Sequence, residues 1–162
     1  MKVNVFPRIA IIKMAEANKI DFKKVNIISI NTLYRNSDEL EIMQDHLGKN
    51  NPNVLYMQFD DVTKEEAESY NSKHYEFKLT PISENQAKQI VDFILKTHKQ
   101  GKDLFVHCTA GISRSGAVGL FANQYINRLI DKNEDDFYHN EIYEFNSIMP
   151  NPTVSSMLNS AV

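Results

Sequence analysis

Val106-His107-Cys108-Thr109-Ala110-Gly111-Ile112-Ser113-Arg114-Ser115-Gly116 places the only cysteine of the chain between an apolar run and a segment of small residues. Upstream, Lys102-Asp103-Leu104-Phe105-Val106 reads as a buried strand, and residues 116–130 read as a mostly apolar helix. A strand, a tight turn and a helix in that order form an anion trap. The N–H groups of the turn converge on one point, and the positive end of the helix dipole faces the same point. A cysteine held there ionises easily, because its thiolate is an anion in an anion site. Arg114, closing the loop, supplies a planar fork of donors suited to phosphate oxygens.

Outward from this loop, the pattern alternates strand and helix. Residues 2–6 are a short strand candidate, and residues 8–18 have helical spacing, with Ile9, Ile12 and Met14 inward. Residues 24–30 carry β-branched Val25, Ile27, Ile28 and Ile30 and read as a strand. Ser37 caps a helix to Leu47, which Gly48 ends. Residues 53–59 alternate through Leu55, Met57 and Phe59 as the next strand, stopped by Asp60-Asp61. Residues 62–79 are polar, and Thr63 caps a short acidic helix within them. Thr80, with Pro81 at the first helical position, starts a helix to about His98. A further helix is expected over 135–148, and Thr153 caps a last one through Leu158. Such alternation predicts an α/β fold of one domain over residues 1–162: a mostly parallel central sheet with helices on both faces. Sites in such sheets lie at the carboxyl ends of strands, where both Asp61 and Cys108 fall.

Composition agrees with one globular domain. The chain has 162 residues, 42% of them hydrophobic, and a formal charge of -3. That charge argues against a nucleic-acid or acidic-membrane surface. One cysteine excludes an intrachain disulfide and fits a reducing compartment. No run of 18 apolar residues occurs, and the early apolar stretch is broken by Pro7 and Arg8, unlike a signal peptide. The expected location is cytoplasmic. No cluster has metal-ligand spacing, so neither metal nor cofactor is expected.

His107-Cys108, five residues, then Arg114-Ser115 resembles the signature of the cysteine-dependent protein tyrosine phosphatases. The form His-Cys-x-Ala-Gly-x-Ser-Arg-Ser is similar to the dual-specificity branch. The resemblance implies a tyrosine-phosphatase-like fold and assigns Cys108 as nucleophile, forming a cysteinyl-phosphate. It assigns Arg114 to two phosphoryl oxygens, in the ground and transition states. The backbone of Thr109, Ala110, Gly111, Ile112 and Ser113 would form the phosphate-binding loop. Ser115 would donate to the sulfur and help the thiolate leave. His107 would order the loop and help keep the cysteine ionised, without acting as a base.

The resemblance also implies a general acid on a loop after an upstream strand, in the pattern apolar residue, any residue, Asp. Phe59-Asp60-Asp61 matches and points to Asp61. Asp60 would then be its neighbour, disfavouring the ionised form by like-charge repulsion. Asp60 itself, His74, Glu76 or no dedicated acid are the alternatives, because the stretch from Asp61 to Cys108 is longer than in compact dual-specificity enzymes, with the excess in 62–79. Tyr34-Arg35 is read as a surface loop that could also touch substrate. The loop interior lacks lysine, unlike relatives acting on highly phosphorylated inositol lipids. The expected substrate is therefore a phosphoprotein, preferably with phosphotyrosine, with no nucleic-acid or membrane partner. The alternatives are a phosphohydrolase for RNA 5′ ends or a small phosphorylated metabolite, and a non-catalytic phosphate-binding module.

Overall fold

In the computed structural model, described over residues 1–140 and 148–162, four strands form one sheet with every neighbour parallel. The strands are β1 (Val3–Pro7), β2 (Val25–Asn31), β3 (Val54–Gln58) and β4 (Asp103–Cys108), in spatial order β1-β4-β2-β3. All seven residues of β2 are buried, as expected of an inner strand covered on both faces. The sheet therefore matches the expected α/β class and contains all four stretches read as strands in the sequence.

Side-chain alternation along the strands divides the interior into two cores. Ile28, Ile30, Leu104 and Val106 face one layer. That layer is built from α4 (Glu84–Lys99), α5 (Arg114–Ala122) and α7 (Pro152–Ser160) through Ile90, Ile94, Val118, Val154 and Leu158. On the opposite face Ile27 packs with Ile11 of α1 (Arg8–Glu16) and with Met43 and Leu47 of α2 (Glu39–Leu47). The other described elements are two short helices, α3 (Lys64–Asn71) and α6 (Glu134–His139), a 3-10 turn at Tyr34–Asn36 and a π-helical stretch, Asn123–Ile130. Asn26, buried in β2, is paired across elements: its Nδ2 donates to Thr97 Oγ1 at 3.0 Å and to Gln100 Oε1 at 2.9 Å. Among the described residues no helix is long and apolar enough to cross a membrane.

Several helix starts differ from the sequence expectation. α4 begins at Glu84, not at Pro81, because Ser83 and Gln86 form a reciprocal capping box. Thr80 is committed elsewhere: its N–H donates to Asp60 Oδ2 and its carbonyl accepts from the Asp60 N–H. α2 begins at Glu39, with Asp38 at the cap position and no side-chain cap. α7 is capped by Asn151, whose Oδ1 accepts from the N–H groups of Thr153 and Val154, with Pro152 in the first turn. Thr153 Oγ1 instead accepts from the Lys64 N–H at 3.1 Å. Thr63 does cap α3, through a capping box with Glu66. The helix expected over 116–130 starts two residues earlier, at Arg114, and passes into a π-helical stretch, Asn123–Ile130. Of the helix expected over 135–148, α6 supplies the start, capped by Asn133, and residues 141–147 lie outside the described residues.

Ile28 sits fully buried in the central strand and Ile130 is 43% exposed. Ile28→Ala is expected to lower unfolding free energy by about 3 kcal/mol through lost transfer energy and a cavity. Ile130→Ala should cost less than about 1 kcal/mol. Urea denaturation of both variants measures the difference.

Candidate active site

β4 runs two residues further than its apolar run and ends on Cys108 itself, beside Pro7 of β1. The turn 109–113 follows, and α5 starts at Arg114. Ser113 occupies the cap position of α5 but its hydroxyl caps nothing there. It donates instead to Asp61 Oδ1 at 2.7 Å. Gly111 has φ +72°, and a Cβ at this position would lie 2.5 Å from Pro7 N and 2.6 Å from the Phe6 carbonyl carbon. The turn thus rests directly on the β1–α1 junction, where Arg8 N–H also donates to the Thr109 carbonyl at 3.3 Å. Only glycine fits both the conformation and the contact.

Cys108 is 2% exposed, and its Sγ lies 3.0 Å from Ser115 Oγ. Burial pushes its thiol up. The hydroxyl and amide of Ser115, the charge of Arg114 and the amide of Gly111 outweigh burial and hold it below the ordinary cysteine value. His107 is fully buried, between β2 and β4. The Cys108 carbonyl can only accept, so Nδ1 carries the proton toward it (3.4 Å) and Nε2 accepts from Ser29 Oγ at 2.7 Å. Burial lowers His107 to about 4, so the ring is neutral at pH 7 and orders the strand end as a hydrogen-bonding group.

Arg114 is 3% exposed and is tied to three segments. Its NH1 donates to the Phe59 carbonyl at 2.8 Å and to Thr32 Oγ1 at 3.2 Å, and its NH2 donates to Thr109 Oγ1 at 3.0 Å. Its Nε has no hydrogen-bond partner among the described residues. A buried donor without an acceptor is costly unless a ligand oxygen meets it. Behind Thr109 stands Glu39, which accepts from Thr109 Oγ1 at 2.7 Å and from the Thr32 N–H at 2.7 Å. Burial alone would raise Glu39; the Thr32 amide, the Thr109 and Thr32 hydroxyls and the Arg8 guanidinium at 3.6 Å hold it lower, as a carboxylate. A neutral hydroxyl thus separates the buried guanidinium from the buried carboxylate, leaving the cation free to face an anion.

Asp61 and Asp60 part company. Asp61 is exposed and lies across the turn 109–113, held by Ser113 and by Asn151 Nδ2 at 3.0 Å. Asp60 is buried, and its carboxylate accepts from the N–H groups of Leu33, Tyr34 and Thr80 at 2.8–2.9 Å. It clasps the ends of the 61–79 segment to the loop after β2. His74 stacks on the Tyr70 ring with centroids 3.8 Å apart, its Nδ1 donating to the Tyr70 carbonyl, and Glu76 is exposed. Tyr34 packs edge-on against Tyr70 and Phe77 of the same segment, and the Arg35 guanidinium lies over the Tyr34 and Phe77 rings. The excess residues therefore fold as an aromatic buttress for the loop after β2.

The structure brings together Cys108, Arg114, Ser115, His107, the turn 109–113 and Asp61, all singled out in the sequence. Glu39, Thr32, Arg8 and Asn151 were missed. For Glu39 the one signal was an acidic first helical turn. For the others no local signal existed.

Two outcomes check this geometry. Gly111→Ala forces the turn off the β1–α1 junction and should weaken inorganic phosphate or vanadate binding at least tenfold, by calorimetry. His107 takes a proton near pH 4 when folded and near 6.5 when unfolded, so the unfolded chain binds more protons in that window. Stability should therefore be full above about pH 6.5 and decline by about 3 kcal/mol as pH falls to 4, a slope reduced in His107→Gln.

Comparison with known proteins places this geometry. The family model described as protein-tyrosine phosphatase matches residues 15–145. Human dual specificity protein phosphatase 1 is 36% identical over 63 residues, covering 35% of this chain and 17% of that protein. The match thus spans less than a fifth of the length of this curated relative. Tk-PTP in its active form superimposes with TM-score 0.55 at 17% identity, covering 99% of this chain and 91% of that one. Human tyrosine phosphatase-like serine/threonine/tyrosine-interacting protein gives 0.56 at 15% identity, covering 98% and 89%. These two structures share the fold. The extent of the family-model match, over a chain with this cysteine, turn and arginine, establishes that the chain belongs to the protein-tyrosine phosphatase family.

Proposed function

We propose that this chain is a phosphatase that hydrolyses phosphotyrosine in proteins, with phosphoserine and phosphothreonine as further substrates, through a cysteinyl-phosphate. One observation carries the reading: the Cys108 sulfur, acidified and 3.0 Å from the Ser115 hydroxyl, shares its turn with a buried Arg114 whose Nε has no partner among the described residues. A nucleophile and an unused donor in one anion-binding turn serve a phosphoryl group.

In the first step the Cys108 thiolate attacks phosphorus and the bond from phosphorus to the leaving oxygen breaks. Asp61 gives its proton to that oxygen. In the second step Asp61 takes a proton from water, the water oxygen bonds to phosphorus and the phosphorus–sulfur bond breaks. Ser115 donates to the departing thiolate. Arg114 and the amides of 109–114 hold the equatorial oxygens throughout. The exposed rim includes Leu33 and Ile112, which suits the ring of an aryl phosphate better than a polyanionic sugar. The turn holds no lysine, which also disfavours a highly phosphorylated lipid headgroup. The cytoplasm, where a lone thiol stays reduced, is the proposed location.

Cys108→Ser should abolish turnover of an aryl phosphate while still binding phosphate or vanadate, because Arg114 and the amides remain. Residual turnover within tenfold of wild type would remove Cys108 from its role and leave a phosphate-binding module. Asp61→Asn should slow unactivated phenyl phosphate by about 10²–10⁴-fold, spare an activated aryl phosphate and flatten the basic limb of the pH–rate profile.

A further inference from the structure

We propose that Asn151 is a positioning residue for the acid; the proposal rests on the reading of Asp61 above. Asn151 is 4% exposed and joins three parts of the site. Its Nδ2 donates to Asp61 Oδ1 at 3.0 Å and to the Val62 carbonyl at 3.2 Å. Its Oδ1 accepts from the N–H groups of Thr153 and Val154, at 3.0 and 3.1 Å. Its own N–H donates to the Ser113 carbonyl in the phosphate-binding turn at 3.2 Å.

This arrangement fixes the side chain. Flipping the amide would turn Nδ2 toward two helix N–H groups and Oδ1 toward a carboxylate and a carbonyl, so donors would face donors and acceptors would face acceptors. The start of α7 therefore aims the amide N–H at Asp61. Ser113 Oγ donates to the same oxygen at 2.7 Å. With two donors on Oδ1, the transferable proton of Asp61 resides on Oδ2. Asn151 thus selects the oxygen that delivers the proton and ties it to the turn that holds the phosphoryl group. Other charged groups around Asp61 are Asp60 on the same loop, Lys64, Glu65, Glu66 and Glu68 of α3, Cys108 at the end of β4 and Arg114 of α5; α7 carries none.

Asn151→Asp separates positioning from capping. Aspartate caps a helix as well as asparagine does and its charge favours a helix N-terminus, so a purely structural residue would tolerate it. A positioning residue would not, because the donor is lost and a second anion faces Asp61. The expected result is a folded, somewhat less stable protein that still binds phosphate, with turnover of unactivated phenyl phosphate at least tenfold lower. An activated aryl phosphate should change less than threefold, and the basic limb of kcat/KM should move to higher pH, since a neighbouring anion favours the protonated acid. Asn151→Ser keeps a capping oxygen without the charge, and should show the same leaving-group effect; it carries the test if the aspartate variant does not fold. In Asp61→Asn, adding Asn151→Asp should cost no further turnover. A folded Asn151 variant with unchanged leaving-group dependence and unchanged basic limb would reduce Asn151 to a helix cap, with the acid assignment intact. Unchanged leaving-group dependence in Asp61→Asn alone would instead overturn the acid assignment, and this proposal with it.

Discussion

A single buried guanidinium holds the ends of three strands in place. Arg114 reaches the Phe59 carbonyl after β3, the Thr32 hydroxyl after β2 and the Thr109 hydroxyl after β4. Burying a cation is expensive unless every donor finds an oxygen. The loops after β2, β3 and β4 are therefore shaped to present oxygens to one point. The surplus donor, Nε, faces no protein acceptor among the described residues. The group that ties the loops together is thus the one the proposed phosphoryl site needs, and among the described residues no carboxylate pairs with it directly.

Much of this was readable in the chain. β-branched Val25, Ile27, Ile28 and Ile30 marked the inner strand, and the turn after Cys108 marked the site, because both signals are local. Thr63 with Glu66 marked α3 for the same reason. What escaped was long-range. Nothing near Glu39 in the sequence says that Thr109 will reach it, nor does Pro150-Asn151-Pro152 reveal that its amide meets Asp61. Thr80 looked like a cap because Pro81 follows it, yet its backbone was claimed by Asp60, twenty residues earlier. Local capping chemistry lost to a tertiary contact there, while Ser83 with Gln86 won three residues on.

Adjacent Asp60 and Asp61 illustrate how burial divides similar side chains. One accepts three backbone N–H groups in the interior and holds the loops; the other stays at the surface, over the turn. A sequence pattern assigns the pair to the same strand end. Only the direction in which each side chain leaves the backbone separates their duties.

The contact between Gly111 and the Phe6–Pro7 backbone has a consequence for how the protein is made. β1 and β4 are neighbours in the sheet, yet about a hundred residues lie between them in the chain. Closing so long a loop is entropically unfavourable until many other contacts exist, so such pairings form late. The seat beneath the turn 109–113 therefore depends on the strand pairing most distant in sequence of the three in the sheet, whereas the groups that acidify the cysteine, Ser115, Arg114 and Gly111, all lie within seven residues of it. Loosening the N-terminal strand would thus disturb the shape of the turn before it disturbs the chemistry of the thiol.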